Sequence, residues 1–388
     1  MKQSSFEGTP DLPIEKDPMR RSLEEKKIMK VFILTRYDRQ GASSRLRTIQ
    51  YIPYLTEAGL DVRVESLFDA QYLEQMYAGR RSAGTLTKSL LRRMYHMREQ
   101  ADVIWLEKEA LPWFPWVIEK IFWPRNIPVV TDYDDAIFHH YDQHRHYMIQ
   151  SLLGQKINQV MRASAMVVAG NQYLADRAQK AGANHVKILP TVVDTSAYQQ
   201  TFGKNYDGKL RFGWIGTPYT WSTYAMNFSS WVVHVASNEG AMFRVVGAEP
   251  TARKSGTIEF LPWSEESEIS LINSMDIGLM PLPDTPFNRG KCGYKLIQYM
   301  ACGLPVIASP VGVNREIVEP GVNGFLAETE DEWHNALTTL ARDPELRRRM
   351  GEAGRLKAEK IFSLQIQGPR MAKILRSVAK GRELELNN

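Results

Sequence analysis

Residues 276–309 read DIGLMPLPDTPFNRGKCGYKLIQYMACGLPVIAS, and the reading of this stretch decides the fold. It opens on a short apolar run, DIGLMPL, crosses a proline-rich turn and enters a helical pattern. In that pattern Leu296, Ile297, Met300 and Ala301 share a packed side. Lys291, Lys295 and Gln298, spaced i, i+4 and i+7, share the opposite face. Gly303 and Pro305 end the helix, and VIAS begins a second apolar run. Strand, helix, strand is the repeating unit of a parallel sheet. The polar face has two readings. It is either a solvated surface or a cationic helix start that holds a phosphate group, where free N–H groups and the helix dipole already favour an anion.

The same rhythm extends outward in both directions. Upstream, VFILT (31–35), DVRVESL (61–67), DVIWLE (102–107), PVVTDY (128–133), AMVVAG (165–170) and VKILP (186–190) are strand-like. A helix is expected over SSRLRTIQYIPYLTEAG (43–59), closing at Gly59. The polar stretch TSAYQQTFGKNYDGK (195–209) interrupts the series. A second series then follows with LRFGWIG, MFRVVG, IEFLPW, DIGLMPL and PVIAS. Two such series imply an α/β chain of two Rossmann-like domains, with parallel sheets facing a central cleft. The expected divisions are a polar tail at 1–28, an N-terminal domain at 29–200, a C-terminal domain at 201–365, and a last helical segment at 366–388. That last segment is expected to pack back toward the N-terminal domain. Met29, just ahead of the first strand, is an alternative start.

Composition narrows the function. The 388 residues are 43% hydrophobic and 24% charged, which is globular, and the net charge of +5 suits an anionic ligand or a membrane surface. The basic residues are dispersed and no nucleic-acid motif accompanies them, so no nucleic-acid partner is expected. Cys292 and Cys302 stand at the two ends of one helical pattern, too far apart for a disulfide if that helix forms. Two cysteines do not make a zinc site, and a reducing cytoplasm fits. No apolar run reaches the roughly 20 residues that span a bilayer. A nicotinamide dehydrogenase needs Gly-x-Gly-x-x-Gly after a strand. Neither GASSRL (41–46) nor GWIGTP (213–218) supplies it.

The run DIGLMPL, then GKCGYKLIQYMACGLPVIASPVGVNREIV, then PGVNGFLA resembles the C-terminal half of retaining glycosyltransferases of family 4, also called group 1. The phrases TDYDDAIF and RGKCGYKLIQYMA resemble the bacterial exopolysaccharide and O-antigen enzymes of that family. The resemblance implies the GT-B architecture. It also implies transfer of a sugar, with retention, from a nucleotide-diphosphate donor to a saccharide acceptor that is lipid-linked, with no cofactor and no metal. Many members carry two glutamates eight positions apart; here Gly290 and Gln298 stand at those positions. A Gln298→Glu change is therefore expected to be tolerated. Basic residues common after the first strand of the C-terminal domain are absent from FGWIGTPYTWSTY. The cationic role passes to Arg289, Lys291 and Lys295.

On this reading Lys291, Lys295 and Asp134 are the catalytic candidates, and Gly216, Thr217, Arg289, Gly290 and Gln298 are donor-binding. Gly41, Ser44 and Arg45 are acceptor- or phosphate-binding. Gly41 permits a tight turn, and Ser43 or Ser44 is expected to cap the next helix. Arg45 is either exposed or an anion contact. Asp134 and Asp135 are either loop-bonding residues or sugar-orienting ones, with Asp134 favoured by the resemblance. His140, Asp142 and His144 read as a polar cleft rim rather than a metal site. Trp113, Phe114, Trp116, Phe122 and Trp123 form a cluster that is either core or an exposed patch. Residues 85–98 place Leu86, Leu90, Leu91, Met94 and Tyr95 on one side, with Lys88, Arg92, Arg93 and Arg98 around it and Arg80 and Arg81 upstream. Such a helix is either an ordinary helix packed on the N-terminal sheet with a solvated basic face or one that binds an anionic membrane reversibly, at the cytoplasmic face. The competing functions are a non-hydrolysing sugar-nucleotide epimerase and a catalytically silent subunit of a polysaccharide assembly complex.

Overall fold

The central apolar runs fold as strands buried on both faces, the condition a parallel sheet imposes, while runs at the sheet edges stay partly exposed. This computed structural model describes residues 28–69, 72, 75, 83–198, 208–249 and 256–381. The tail at 1–27, Arg80 and Arg81 lie outside those residues.

The N-terminal domain begins β1 (Met29–Tyr37), α1 (Ala42–Arg47), α2 (Ile52–Glu57), β2 (Leu60–Phe68), α3 (Ala83–His96) and β3 (Val103–Glu107). It continues α4 (Trp116–Phe122), β4 (Val129–Tyr133), α5 (His139–Asp142), α6 (Tyr147–Leu153) and α7 (Lys156–Ala163). It closes with β5 (Met166–Ala169), α8 (Gln172–Lys180) and β6 (Val186–Ile188). The C-terminal domain runs β7 (Arg211–Ile215), α9 (Pro218–Thr220), α10 (Ser229–Asn238), β8 (Met242–Val246), β9 (Ile258–Leu261), α11 (Glu268–Asn273) and β10 (Ile277–Met280). Then come α12 (Pro286–Arg289), α13 (Tyr294–Ala301), β11 (Val306–Ala308), α14 (Asn314–Ile317), β12 (Gly324–Leu326) and α15 (Glu330–Arg342). Two long helices finish the chain, α16 (Pro344–Ile361) and α17 (Leu364–Ala379).

Each domain holds a six-stranded parallel sheet, ordered β2-β1-β3-β4-β5-β6 and β12-β11-β10-β7-β8-β9. Strand order reverses between β1 and β3 and between β7 and β10. Ligands of such sheets bind outside the carboxyl ends of the strands at these reversals. That places the loops after β7 and β10 at the cleft.

Every quoted strand is present, and β12 was missed because three residues opening on glycine carry little signal. The single helix expected over 43–59 is broken. Thr48 leaves helical geometry, a 3-10 turn spans Ile49–Tyr51, and Pro53 falls in the first turn of α2, where its missing N–H costs nothing. Gly59 stops the segment at φ +76°. Helix α17 leaves the C-terminal domain and packs Leu364, Met371, Ala372 and Leu375 into the core around Val31, Tyr51 and Trp105. It thereby straps the two domains together. Helix α3 does not present one continuous apolar side. Leu90 is buried while Leu91 and Tyr95 are exposed. Arg93 is buried and donates to the carbonyls of Thr35 and Glu65, and Arg92 donates to the Ser66 carbonyl. Those two arginines anchor the helix to its own sheet, whose strand-end carbonyls need donors.

Candidate active site

The loop after β10 is built to deliver α13 to the cleft. Thr285 caps α12 through the Asn288 N–H, and buried Asn288 donates to the Pro283 carbonyl at 3.0 Å. Gly293 then takes φ +66°, where a Cβ would lie 2.3 Å from the Ile317 side chain, so only glycine fits. Helix α13 therefore starts at Tyr294 with no side chain capping its first N–H groups. This corrects the sequence expectation of one polar face: Lys291 lies before the helix, and only Lys295 and Gln298 are on it.

Lys295 is half-buried and lies 4.5 Å from the centre of the Trp214 ring. It forms no ion pair or hydrogen bond among the described residues. Burial, with the nearby Lys291 charge adding to it, lowers its pKa from 10.5 to about 7. Lys291 rests over the rings of Phe287 and Tyr224, 5.1 and 5.5 Å from their centres. Its ammonium is 3.9 Å from Asp135 Oδ1. Two cations with little compensating charge thus flank an uncapped helix start, an arrangement that favours a polyanion.

Gln298 is buried, and its amide donates to Glu268 Oε1 at 2.7 Å and to the Tyr198 hydroxyl at 3.0 Å. Glu268 Oε2 accepts from Trp263 Nε1 at 2.8 Å. The carboxylate of this neighbourhood is therefore Glu268, on α11. A glutamate at 298 would face it directly, so the expected tolerance of Gln298→Glu is revised. Gly290 touches the other domain: a Cβ there would lie 2.5 Å from Ala136 Cβ and 2.9 Å from Ala136 N. Its carbonyl accepts from Asn171 Nδ2 at 2.9 Å, and Cys292 donates to the Asp134 carbonyl at 3.0 Å. Glycine at 290 is what lets the two domains meet.

The tandem aspartates divide their duties. Asp134 pairs with buried Lys108 at 2.8 Å and accepts from Ser43 Oγ at 2.7 Å. Burial opposes its ionisation, yet the Lys108 charge and these hydrogen bonds hold its pKa below the ordinary value. Lys108 itself adopts φ +63°, a sparsely populated geometry for a side chain of this kind. Asp135 is more open, and burial together with the Asp134 charge raises its pKa. Of the two, Asp135 is the carboxylate that faces Lys291 across the cleft.

The remaining candidates lie apart. Arg289 forms a bidentate pair with Asp284, at 2.7 and 3.0 Å, beside a cavity of about 330 Å³ lined by Asn171, Tyr173 and Arg315. Thr217 caps α9 in a reciprocal pair with Thr220. Gly216 has Trp214 and Thr220 where a side chain would be, and its carbonyl sits 2.2 Å from where a Cβ on Gly247 would fall. Gly41 precedes α1 without a side-chain cap, so neither Ser43 nor Ser44 caps that helix. Ser44 instead donates to Glu107 at 2.6 Å and accepts from the Tyr37 N–H at 2.9 Å. Arg45 is buried over Trp263 and 3.9 Å from Glu265, which also pairs with Arg39 at 2.8 Å; these contacts join the domains just past the carboxyl end of β1. His139 bonds Asp142 and Tyr173, and His140 packs on Phe287 from the facing domain. Among the described residues no group of three His, Cys, Asp or Glu side chains is placed to hold a metal ion.

Sequence reasoning missed the buried ionic framework beneath the site. Arg47 grips Asp132 at 2.8 and 3.0 Å, and burial still raises the Asp132 pKa to about 6. Lys156 neutralises Glu109 at 2.6 Å and Glu119 at 3.2 Å. Only the charged letters inside VIWLEKE and VVTDYDD hinted at it.

Two facing Rossmann-like domains closed by a returning C-terminal helix, with an anion-ready helix start at the cleft, define the GT-B class. Residues 211–343 match the family model described as glycosyl transferases group 1. A GDP-mannose-dependent phosphatidylinositol monomannoside mannosyltransferase of Corynebacterium glutamicum is 32% identical over 160 residues, covering 37% of this chain and 41% of that protein. N-acetyl-alpha-D-glucosaminyl L-malate synthase of Bacillus anthracis is 38% identical over 79 residues, 18% of this chain and 21% of that protein. The chain thus spans less than half the length of either relative. Among solved structures, sucrose-phosphate synthase of Thermosynechococcus elongatus superposes with a TM-score of 0.67 at 14% identity, over 91% of this chain and all of that one. Anabaena HepE, solved with UDP-glucose, gives 0.66 at 17% identity over 90% of this chain and all of that one. These findings establish the GT-B fold and support a group 1 glycosyltransferase.

Proposed function

We propose that this protein transfers a sugar from a nucleotide-diphosphate donor to a lipid-linked saccharide acceptor, with retention, in the building of a bacterial surface polysaccharide. The observation that carries the proposal is the uncapped start of α13 beside Lys291 and Lys295, the latter without an ion pair among the described residues. A departing diphosphate gains negative charge as the glycosidic bond breaks. Fixed cations and N–H dipoles aimed at it stabilise that state more than the bound substrate. The sugar becomes oxocarbenium-like. In a same-face transfer the leaving phosphate oxygen takes the acceptor's proton, so no protein base is required. Asp135, facing the same space, accepts hydrogen bonds from hydroxyls of the transferred sugar. The mannosyltransferase relative, whose acceptor is a phosphatidylinositol mannoside, supports the lipid-linked class.

The test is incubation of the purified protein with labelled nucleotide sugars and a bacterial lipid extract. Label in a new glycolipid, with release of nucleoside diphosphate, is the expected result. An epimerised nucleotide sugar, or no conversion with any donor, would overturn the proposal in favour of an epimerase or a silent subunit.

A further inference from the structure

Among the described residues, nine large hydrophobic side chains are more than 60% exposed, and seven of them lie on three helices of the N-terminal domain. Leu91 and Tyr95 are on α3, Val117 and Ile121 on α4, and Tyr147, Met148 and Leu152 on α6. Their exposure runs from 61% to 79%. Scattered exposed hydrophobics are ordinary, but a set concentrated on adjacent helices marks an interaction surface.

The helices are physically continuous. Arg98, just past α3, lies over the Phe122 ring at 5.1 Å, joining that helix to the end of α4. Trp113, ahead of α4 and itself 51% exposed, packs edge-on against His144 at 6.1 Å, just before α6. The face also adjoins the cleft. The Trp113 N–H donates to the Tyr141 hydroxyl, which donates to Glu109 at the end of β3.

Charge says what covers it. Segments 84–98, 113–125 and 143–155 contain a single carboxylate, Glu119, which is buried against Lys156. Lys88, Arg98, Lys120, Arg125 and Arg145 are exposed. Long apolar side chains ringed by cations, with no exposed carboxylate, match the headgroup–acyl boundary of an anionic bilayer.

We propose that the face formed by α3, α4 and α6 docks on an anionic lipid bilayer. This moves the contact from α3 alone to a three-helix surface, and excludes Arg92 and Arg93, which hold α3 to the sheet. It rests on the proposed function only in that a membrane-borne acceptor would reach the adjoining cleft.

Vesicle flotation of the full chain tests it, using phosphatidylcholine alone or mixed with phosphatidylglycerol. The wild type is expected to float with the anionic vesicles only and to release as salt is raised. Val117→Ser/Ile121→Ser, Tyr147→Ser/Met148→Ser and Lys120→Ser/Arg125→Ser/Arg145→Ser should each lower the bound fraction about tenfold with melting temperature unchanged, because the replaced side chains are exposed. Failure of the wild type to float, or variants that float equally well, would overturn the proposal. So would a wild-type dimer that these substitutions split and that does not bind vesicles, since the face would then belong to a second copy. Flotation needs no turnover, so a protein that floats but transfers no sugar contradicts the enzymatic reading alone.

Discussion

Raising the pH from 7 to 9 is expected to weaken nucleoside diphosphate binding about fiftyfold through Lys295. In the free protein that ammonium is half-buried on Trp214 and has no anionic partner among the described residues, and burial pushes its pKa down to about 7. A diphosphate at the start of α13 supplies the missing charge and draws the pKa upward again. At pH 7 about half of the free molecules carry the proton, so binding should take up about half a proton. At pH 9 about one molecule in a hundred carries it, uptake approaches one, and charging the group costs about 2.7 kcal/mol. The second ionisation of a phosphate ester lies near 6, so the ligand adds little slope over this range. Calorimetric titration in buffers of differing ionisation enthalpy reads the proton count directly. Lys295→Arg keeps the charge and should abolish the slope, since guanidinium stays protonated. The stability of the free protein has the opposite sign. Its folded pKa is below the unfolded 10.5, so the unfolded chain binds more protons and stability rises with pH between about 7 and 10.5. Lys295→Met should therefore raise the melting temperature of the free protein at pH 7 while weakening the ligand. Absence of proton uptake, or an unchanged slope in Lys295→Arg, would refute this reasoning.

Gln298→Glu sets two carboxylates 2.7 Å apart with Glu268 and removes a donor, so it should cost about 1–3 kcal/mol at pH 8. The new carboxyl has a raised folded pKa, so the deficit should shrink toward pH 4; thermal melts at both pH values check this. Asp134→Asn strands the buried Lys108 ammonium and should lower stability by about 3–5 kcal/mol. Asp135→Asn should change stability by less than about 1 kcal/mol yet reduce transfer, and denaturant melts paired with turnover separate the two aspartates.

The fold was legible because each buried strand is a short apolar run and each cleft glycine punctuates one. That Lys291 and Lys295 fall close to the start of one helix was legible from their spacing. Its register was not, because whether a helix includes Lys291 depends on Gly293, whose left-handed φ and close approach to Ile317 from another element only glycine allows. Asp134 and Asp135 are alike in sequence, and only the Lys108 side chain from β3's end distinguishes them. Gln298 was read against an absent partner, while its actual partner, Glu268, lies thirty positions away. The apolar surface escaped notice as a unit since contacts such as Arg98 on Phe122 and Trp113 on His144 join segments far apart in sequence.

The central claim is that the start of α13 holds the donor's diphosphate. Calorimetric titration of the wild type and of Lys291→Ala/Lys295→Ala with uridine and guanosine diphosphates, beside the parent nucleosides, tests it most directly. One diphosphate should bind the wild type at least about a hundredfold more tightly than its nucleoside, and the double variant should lose most of that margin while binding the nucleoside equally. A variant that keeps the full margin would show that the phosphates are held elsewhere.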